Sequence, residues 1–195
     1  MNMPRTRFDQ RKALHALLFV VQHISSPANV YNVLKCLYYA DRMHLQEYGR
    51  QIYGDTFYAL EHGPVPSAAC EIVKFAGGRA KWDLKFPEAL ELLEVNDVYL
   101  NARGTPDTEL LSRSDMVCLL EAVRKYGTMP FGNLKKLSYQ GKAFENADSN
   151  GEMQLADLID ELRDSKAVAE HLKYRNPGKA HAKKDSPRHA KARAA

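Results

Sequence analysis

The chain has 195 residues, 45% of them hydrophobic, and a formal net charge of +4, which suits one ordinary domain with a sizeable core and requires no second. The charge is unevenly placed: residues 171–195 hold eight Lys/Arg against the single acid Asp185, whereas residues 1–170 hold 20 basic and 23 acidic residues. A body that is net acidic is a poor partner for phosphate, no run of about eighteen apolar residues suggests a membrane span, and three scattered cysteines suit reduced thiols in a cytoplasm.

The first predicted element follows MNMPRTRFDQRK. ALHALLFVVQHI has the length of a signal-peptide core, but His15, Gln22 and His23 interrupt it and no convincing small-residue cleavage site follows. We read it as a cytosolic amphipathic helix with Leu14, Leu17, Leu18 and Val21 inward. Ser26-Pro27 pairs an N-cap residue with proline at the first helical position, so a second helix is predicted to start there. Val30, Val33, Leu34, Leu37, Tyr38 and Leu45 give its apolar face, and Gly49 offers a left-handed cap. Asp41 and His44 stand three apart in it and are predicted to be surface neighbours.

Next come Ile52 and Tyr53, a Gly54-Asp55 turn and a β-prone run at residues 56–60. Residues 61–66, EHGPVP, are predicted to be a loop stiffened by two prolines, with Ser67 capping a helix to about Phe75 that Gly77-Gly78 closes. Residues 90–102 read as a β-hairpin turning at Asn96-Asp97. Ser112 with Asp115 forms a carboxylate version of the capping box, ahead of an inner stripe of Met116, Leu119, Leu120 and Val123 and a stop at Gly127. Shorter helices are predicted at about 130–138, 153–162 and 165–174. The fold class is mainly α (α+β): a compact helical domain with a small hairpin or sheet over residues 1–175. Residues 176–195, with no apolar anchor, form a basic tail predicted to be disordered, limited to weak, salt-sensitive contact with nucleic acid or an acidic partner.

Residues 31–66 crowd polar and special backbone residues into one helix-periodic stretch. Asp41, His44, Glu61 and His62 are the types acid–base catalysis uses, yet no nucleophile motif, phosphate loop or cofactor fingerprint accompanies them. A structural role is the better account: Asp41 orienting or capping the turn around Gly54 to His62 by hydrogen bonds. A metal set of Cys36, His44, His62 and Cys70 lacks a close ligand pair such as C-x-x-C, and the cysteines read as small core residues. No metal or cofactor is expected. Tyr39, Arg42, His44, Tyr48, Tyr53 and Tyr58 combine apolar area with polar tips, as interface anchors do, and residues 63–66 offer a rigid docking edge.

LKCLYYADRMHLQEYG at 34–49, the Gly54-Asp55 to Tyr58 turn and strand, and EHGPVPS at 61–67 resemble the Panacea, or SocA-like, domain of bacterial and phage toxin–antitoxin pairs. The similarity continues through LSRSDMVCLLEAVRKYG at 111–127 and NLKKLS at 133–138, and covers roughly residues 10–165. Where that pattern has Ser/Thr-His followed by Trp, this chain has Ser138-Tyr139 and Phe144, which leaves the aromatic packing role to carry over. The resemblance implies a cytoplasmic antitoxin, not an enzyme, that binds a cognate toxin encoded beside it. It implies Tyr39, Asp41, Arg42, His44, Tyr58, Glu61, His62 and Pro64 as the toxin-binding neighbourhood, with Asp41, Gly54, Gly63 and Pro64 shaping the surface. The alternative is a proteolytic adaptor that delivers a bound toxin to a cytosolic protease.

Overall fold

A computed structural model describes residues 7–25, 27–80 and 86–175. The predicted tail and Ser26 lie outside the described residues. Helix α1 (Gln10–His23) runs through the middle of the molecule, and every residue from Ala13 to Val21 is buried. Apolar on all sides, it is wrapped by neighbours rather than laid on a surface. Its expected inward set is buried, as are Ala13, Ala16, Phe19 and Val20, so the helix is a core element and not an amphipathic one. His15 joins them because both ring nitrogens find partners: Nδ1 accepts from the Asp107 amide at 3.0 Å, and Nε2 lies 3.2 Å from Glu88.

The second helix starts later than predicted. Residues Ala28–Asn29 form strand β1, paired with Tyr99–Ala102 (β5), and Asn29 caps α2 (Val30–Tyr48) by accepting from the Tyr31 amide. Strand pairing holds residues 28–29 extended, so helix cannot begin at Pro27. Gly49 ends α2 in the left-handed conformation, at φ 63°.

Residues Phe57–Leu60 form β2, and the predicted loop after it is in fact strand β3 (Gly63–Pro66), antiparallel to β2 with Leu60 opposite Gly63. Pro64 and Pro66 are tolerated because they fall two apart on an edge strand, where a missing N–H breaks no ladder. On the other side of β2, Ala59 and Met153 donate to Gly151 and Phe57, which seats residues 150–153 against it.

Helix α3 (Ser67–Ala76) is capped from a distance, by the Asp55 carboxylate on the amides of Ala68 and Ala69, each at 2.9 Å, rather than by Ser67. The predicted hairpin is shorter at its start, since Pro87–Leu92 is helix α4. Strands β4 (Leu93–Asn96) and β5 then turn at Asp97-Val98, one residue beyond the expected Asn96-Asp97, with Asp97 at φ 54°. The three-stranded sheet has the order β1-β5-β4.

The Ser112–Asp115 capping box opens α5 (Arg113–Tyr126) as expected, but the inner stripe is Asp115, Cys118, Leu119 and Ala122, while Leu120 is 42% exposed. Helices α6 (Phe131–Ser138), α7 (Lys142–Glu145), α8 (Leu155–Asp160) and α9 (Ser165–Arg175) complete a mainly helical fold with two small antiparallel sheets. The main core joins α1, α2, α3, α5 and the β4–β5 hairpin, while Leu45, Leu155, Ile159, Leu162, Val168 and Leu172 fasten α8 and α9 to the end of α2. Among the described residues no helix is long and apolar enough to cross a membrane.

Candidate functional site

Helix α2 supplies both the buried frame and the surface of the candidate site. On its inner side Asp41 is 1% exposed and binds the bend that follows the helix, accepting from the Ile52 amide and from Gln51 Nε2 at 3.0 Å. Gln51 also donates to the Asp55 carbonyl at 2.9 Å, so Asp41 and Asp55 share one network. Burial pushes the Asp41 carboxyl up to about 6 against these hydrogen bonds. Asp41 thus holds the chain by hydrogen bonds, but at Gln51 and Ile52, ahead of the expected turn at Gly54 to His62, which it reaches only through Gln51.

His44 is fully buried and faces a different set of partners. Its Nδ1 donates to the Arg50 carbonyl at 2.9 Å, and Nε2 lies 3.1 Å from Asp115 Oδ1 and 3.0 Å from Ser114 Oγ. The fully enclosed Asp115 also receives Lys12 at 2.6 Å and Arg50 at 2.8 Å. Burial alone would raise the Asp115 carboxyl, but the bonds from His44, Lys12 and the Ser112 amide reverse this and hold it well below the usual carboxylate range. Asp41 and His44, predicted to share a surface, are therefore core residues that brace separate parts of the fold. Nor do Cys36, His44, His62 and Cys70 converge: Cys36 Sγ donates to the Ala122 carbonyl, His44 sits at Asp115, and His62 is exposed on the β2–β3 turn.

The outer side of α2 forms one wall of a groove of about 600 Å³, closed opposite by α5 and by residues 137–144 and 161–163. Tyr39 stacks on Tyr126 with ring centroids 4.1 Å apart. Arg42 binds Glu161 at 2.6 Å and donates to the Tyr38 hydroxyl at 3.3 Å. Glu161 in turn accepts from the Ala143 amide, which ties α8 to α7 across the floor. Val117 and Tyr48 line the groove while 53% and 46% exposed. Tyr58 lies apart, lining a smaller hollow of about 240 Å³ with Leu60, Val65 and Cys70.

The β2–β3 turn carries Glu61 and His62 and is strapped through its backbone. Tyr139 donates to the Glu61 carbonyl, Tyr31 to that of His62 at 3.0 Å, and Lys35 to that of Pro64 at 2.7 Å. Gly63, at φ 91°, fits beneath these straps only because it lacks a side chain: a Cβ would fall 2.2 Å from Ser138 Oγ and 2.7 Å from Lys35 Nζ. Lys35 is fully buried, and that desolvation lowers its amine to about 7. Sequence reasoning missed Lys35, although a single lysine inside the otherwise apolar run at 33–40 was a visible signal. Tyr139 stacks on Phe144 at 5.0 Å, and Phe144 lines the groove, so turn and groove share one continuous face.

No individual characterised protein and no solved structure matches the chain. Residues 33–143, more than half of the chain, match the family described as antitoxin SocA-like, Panacea domain. That span contains α2 from Val33 onward, the β2–β3 turn, α5 and α6, and ends at Ala143 on the groove floor, while Tyr31 of the strap and Phe144 and residues 161–163 of the groove lie outside it. The chain belongs to the SocA-like antitoxin family with a Panacea domain, and its role is related to a toxin–antitoxin system.

Proposed function

We propose that this chain is a cytoplasmic antitoxin that neutralises a cognate toxin, encoded beside it, by direct protein–protein binding. The observation that carries the reading is the continuous face formed by the groove and the strapped turn, most of it supplied by residues of the family span. Carbonyls fixed by two phenols and an amine leave the turn little freedom to lose on binding, which favours affinity. The groove offers Tyr39 and Tyr126 with the apolar rim of Val117 and Tyr48, the aromatic-rich composition of interface anchors.

The eight residues expected in this neighbourhood then divide by role. Tyr39, Glu61 and His62 are contact residues. Arg42 floors the groove through Glu161. Asp41, His44 and Pro64 position the surface from beneath or behind it, and Tyr58 belongs to an adjoining hollow. Neutralisation by occlusion needs no turnover and no cofactor. Co-expression with the adjacently encoded protein tests the reading: an occluding antitoxin restores growth and co-purifies with its partner in stoichiometric amount. Rescue accompanied by protease-dependent loss of the partner would instead identify an adaptor. Absence of both toxicity and binding would reject the reading.

A further inference from the structure

Helix α6 places Phe131 and Lys135 four residues apart, with Tyr139 four further on at its C-cap, so the three form one stripe along the helix. Leu134 and Ser138 take the adjoining, buried stripe. The outward stripe is aromatic and basic. Phe131 is 49% exposed and Tyr139 37%, yet neither ring is loose. Phe131 lies 4.8 Å from the Tyr31 ring and 5.4 Å, edge-on, from that of His62, while Tyr139 stacks on Phe144. Lys135 Nζ sits 5.7 Å from the centre of the Tyr139 ring.

The charge along α6 and the turn after it is one-sided, with Glu61 on the facing turn and Glu161, paired with Arg42, at its far end. Residues 131–142 contain Lys135, Lys136 and Lys142 and no acid. None of the three has an ion-pair partner among the described residues. Glu61 at the turn bonds Tyr139 through its carbonyl and makes no salt bridge with these lysines. Fixed aromatic faces bordered by unpaired cations suit a ligand that brings apolar side chains and negative charge together.

We infer that Phe131, Lys135, Tyr139 and His62 form a docking stripe for an acidic peptide segment of a protein partner, one that pairs carboxylates with aromatic or aliphatic side chains. This rests on the reading of the chain as a protein-binding antitoxin and specifies the partner's chemistry at one end of the proposed face. Aromatic rings on the segment pack against Phe131 and Tyr139, and its carboxylates meet Lys135 and the neighbouring Lys136.

The test is an amide NMR titration of the full chain with three probes: a twelve-residue peptide of Glu and Phe, its Lys-for-Glu counterpart, and a twelve-nucleotide oligothymidylate. The expected result is saturable shifts at residues 61–63 and 131–142 with the acidic peptide alone. A Lys135→Glu/Lys136→Glu double variant, whose spectrum elsewhere stays unchanged, weakens that binding at least tenfold. Shifts confined to other residues, no saturation at millimolar peptide, or an equal response to the oligonucleotide would overturn the inference. Growth rescue by the double variant separates the two readings. If the wild-type chain rescues and the variant rescues equally, the antitoxin reading stands and the stripe is removed from it; if the wild-type chain fails to rescue, the antitoxin reading itself falls.

Discussion

Asp115 shows how a single carboxylate can organise three helices. It lies at the start of α5, closes the capping box with Ser112, and gathers Lys12 from α1, His44 from α2 and Arg50 from the bend beyond. Three cationic or imidazole donors around a fully enclosed acid mean that replacing the acid strands their charge. Asp115→Asn is expected to cost about 3 kcal/mol in urea unfolding at pH 7. Because the folded carboxyl is held below its ordinary value of 3.8, its stabilisation is complete above about pH 4 and fades as pH falls further, so wild type and variant should converge in acid. Lys35 has the opposite sign. Its amine is lowered to about 7 from 10.5, so the unfolded chain holds a proton that the folded chain has released over that interval. Stability from this residue therefore rises with pH from about 7 to 10 and is least below 7. Lys35→Met removes that slope, and wild type should gain about 3 kcal/mol on the variant between pH 6 and pH 9.

Among the elements, the β2–β3 hairpin and α3 depend on contacts distant in sequence. Asp55 caps α3 through two amides while also accepting from the Thr56 amide at 2.7 Å. Asp55→Ala leaves those helix donors unpaired in a buried setting and should cost about 2 kcal/mol by thermal or urea unfolding; an unchanged midpoint would show that Ser67 takes over the cap. Gly63→Ala forces the turn off Ser138 and Lys35. The expected outcome is amide shift changes concentrated at residues 60–65 and 138–139, with partner binding weakened at least tenfold. The Asp55 cap also marks what the sequence could disclose. Helices with local signals were readable: Gly49 as a left-handed cap, the Ser112–Asp115 box, and α6, α8 and α9, though not the single turn of α7. Misreadings arose where a distant partner decided. Strand pairing with β5 moved the start of α2 from Pro27 to Val30, pairing with β2 turned the GPVP of the expected loop into strand, and burial on every side removed the expected amphipathicity of α1. For the site, Tyr39, Glu61 and His62 were legible as surface groups, but nothing in a single helical period shows that His44 faces Asp115 seventy-one residues away.

For the molecule as a whole, α8 and α9 fold back on the end of α2, and residues 161–163 between them make the fourth side of the groove, so a surface carried mainly by residues 33–143 is completed by a segment beyond the family span. Arg42–Glu161 is the joint, and reversing Arg42 would disturb folding as well as binding. Val117 is the cleaner probe, because it is 53% exposed on the groove wall and surface changes of this kind usually move stability by under about 0.5 kcal/mol. The most direct measurement is growth rescue with co-purification, comparing wild type with Val117→Asp against the adjacently encoded protein. Wild type should rescue and bind its partner in stoichiometric amount, while Val117→Asp, with an unchanged melting transition, should lose both. Full rescue and binding by the folded variant would contradict the groove as the neutralising face.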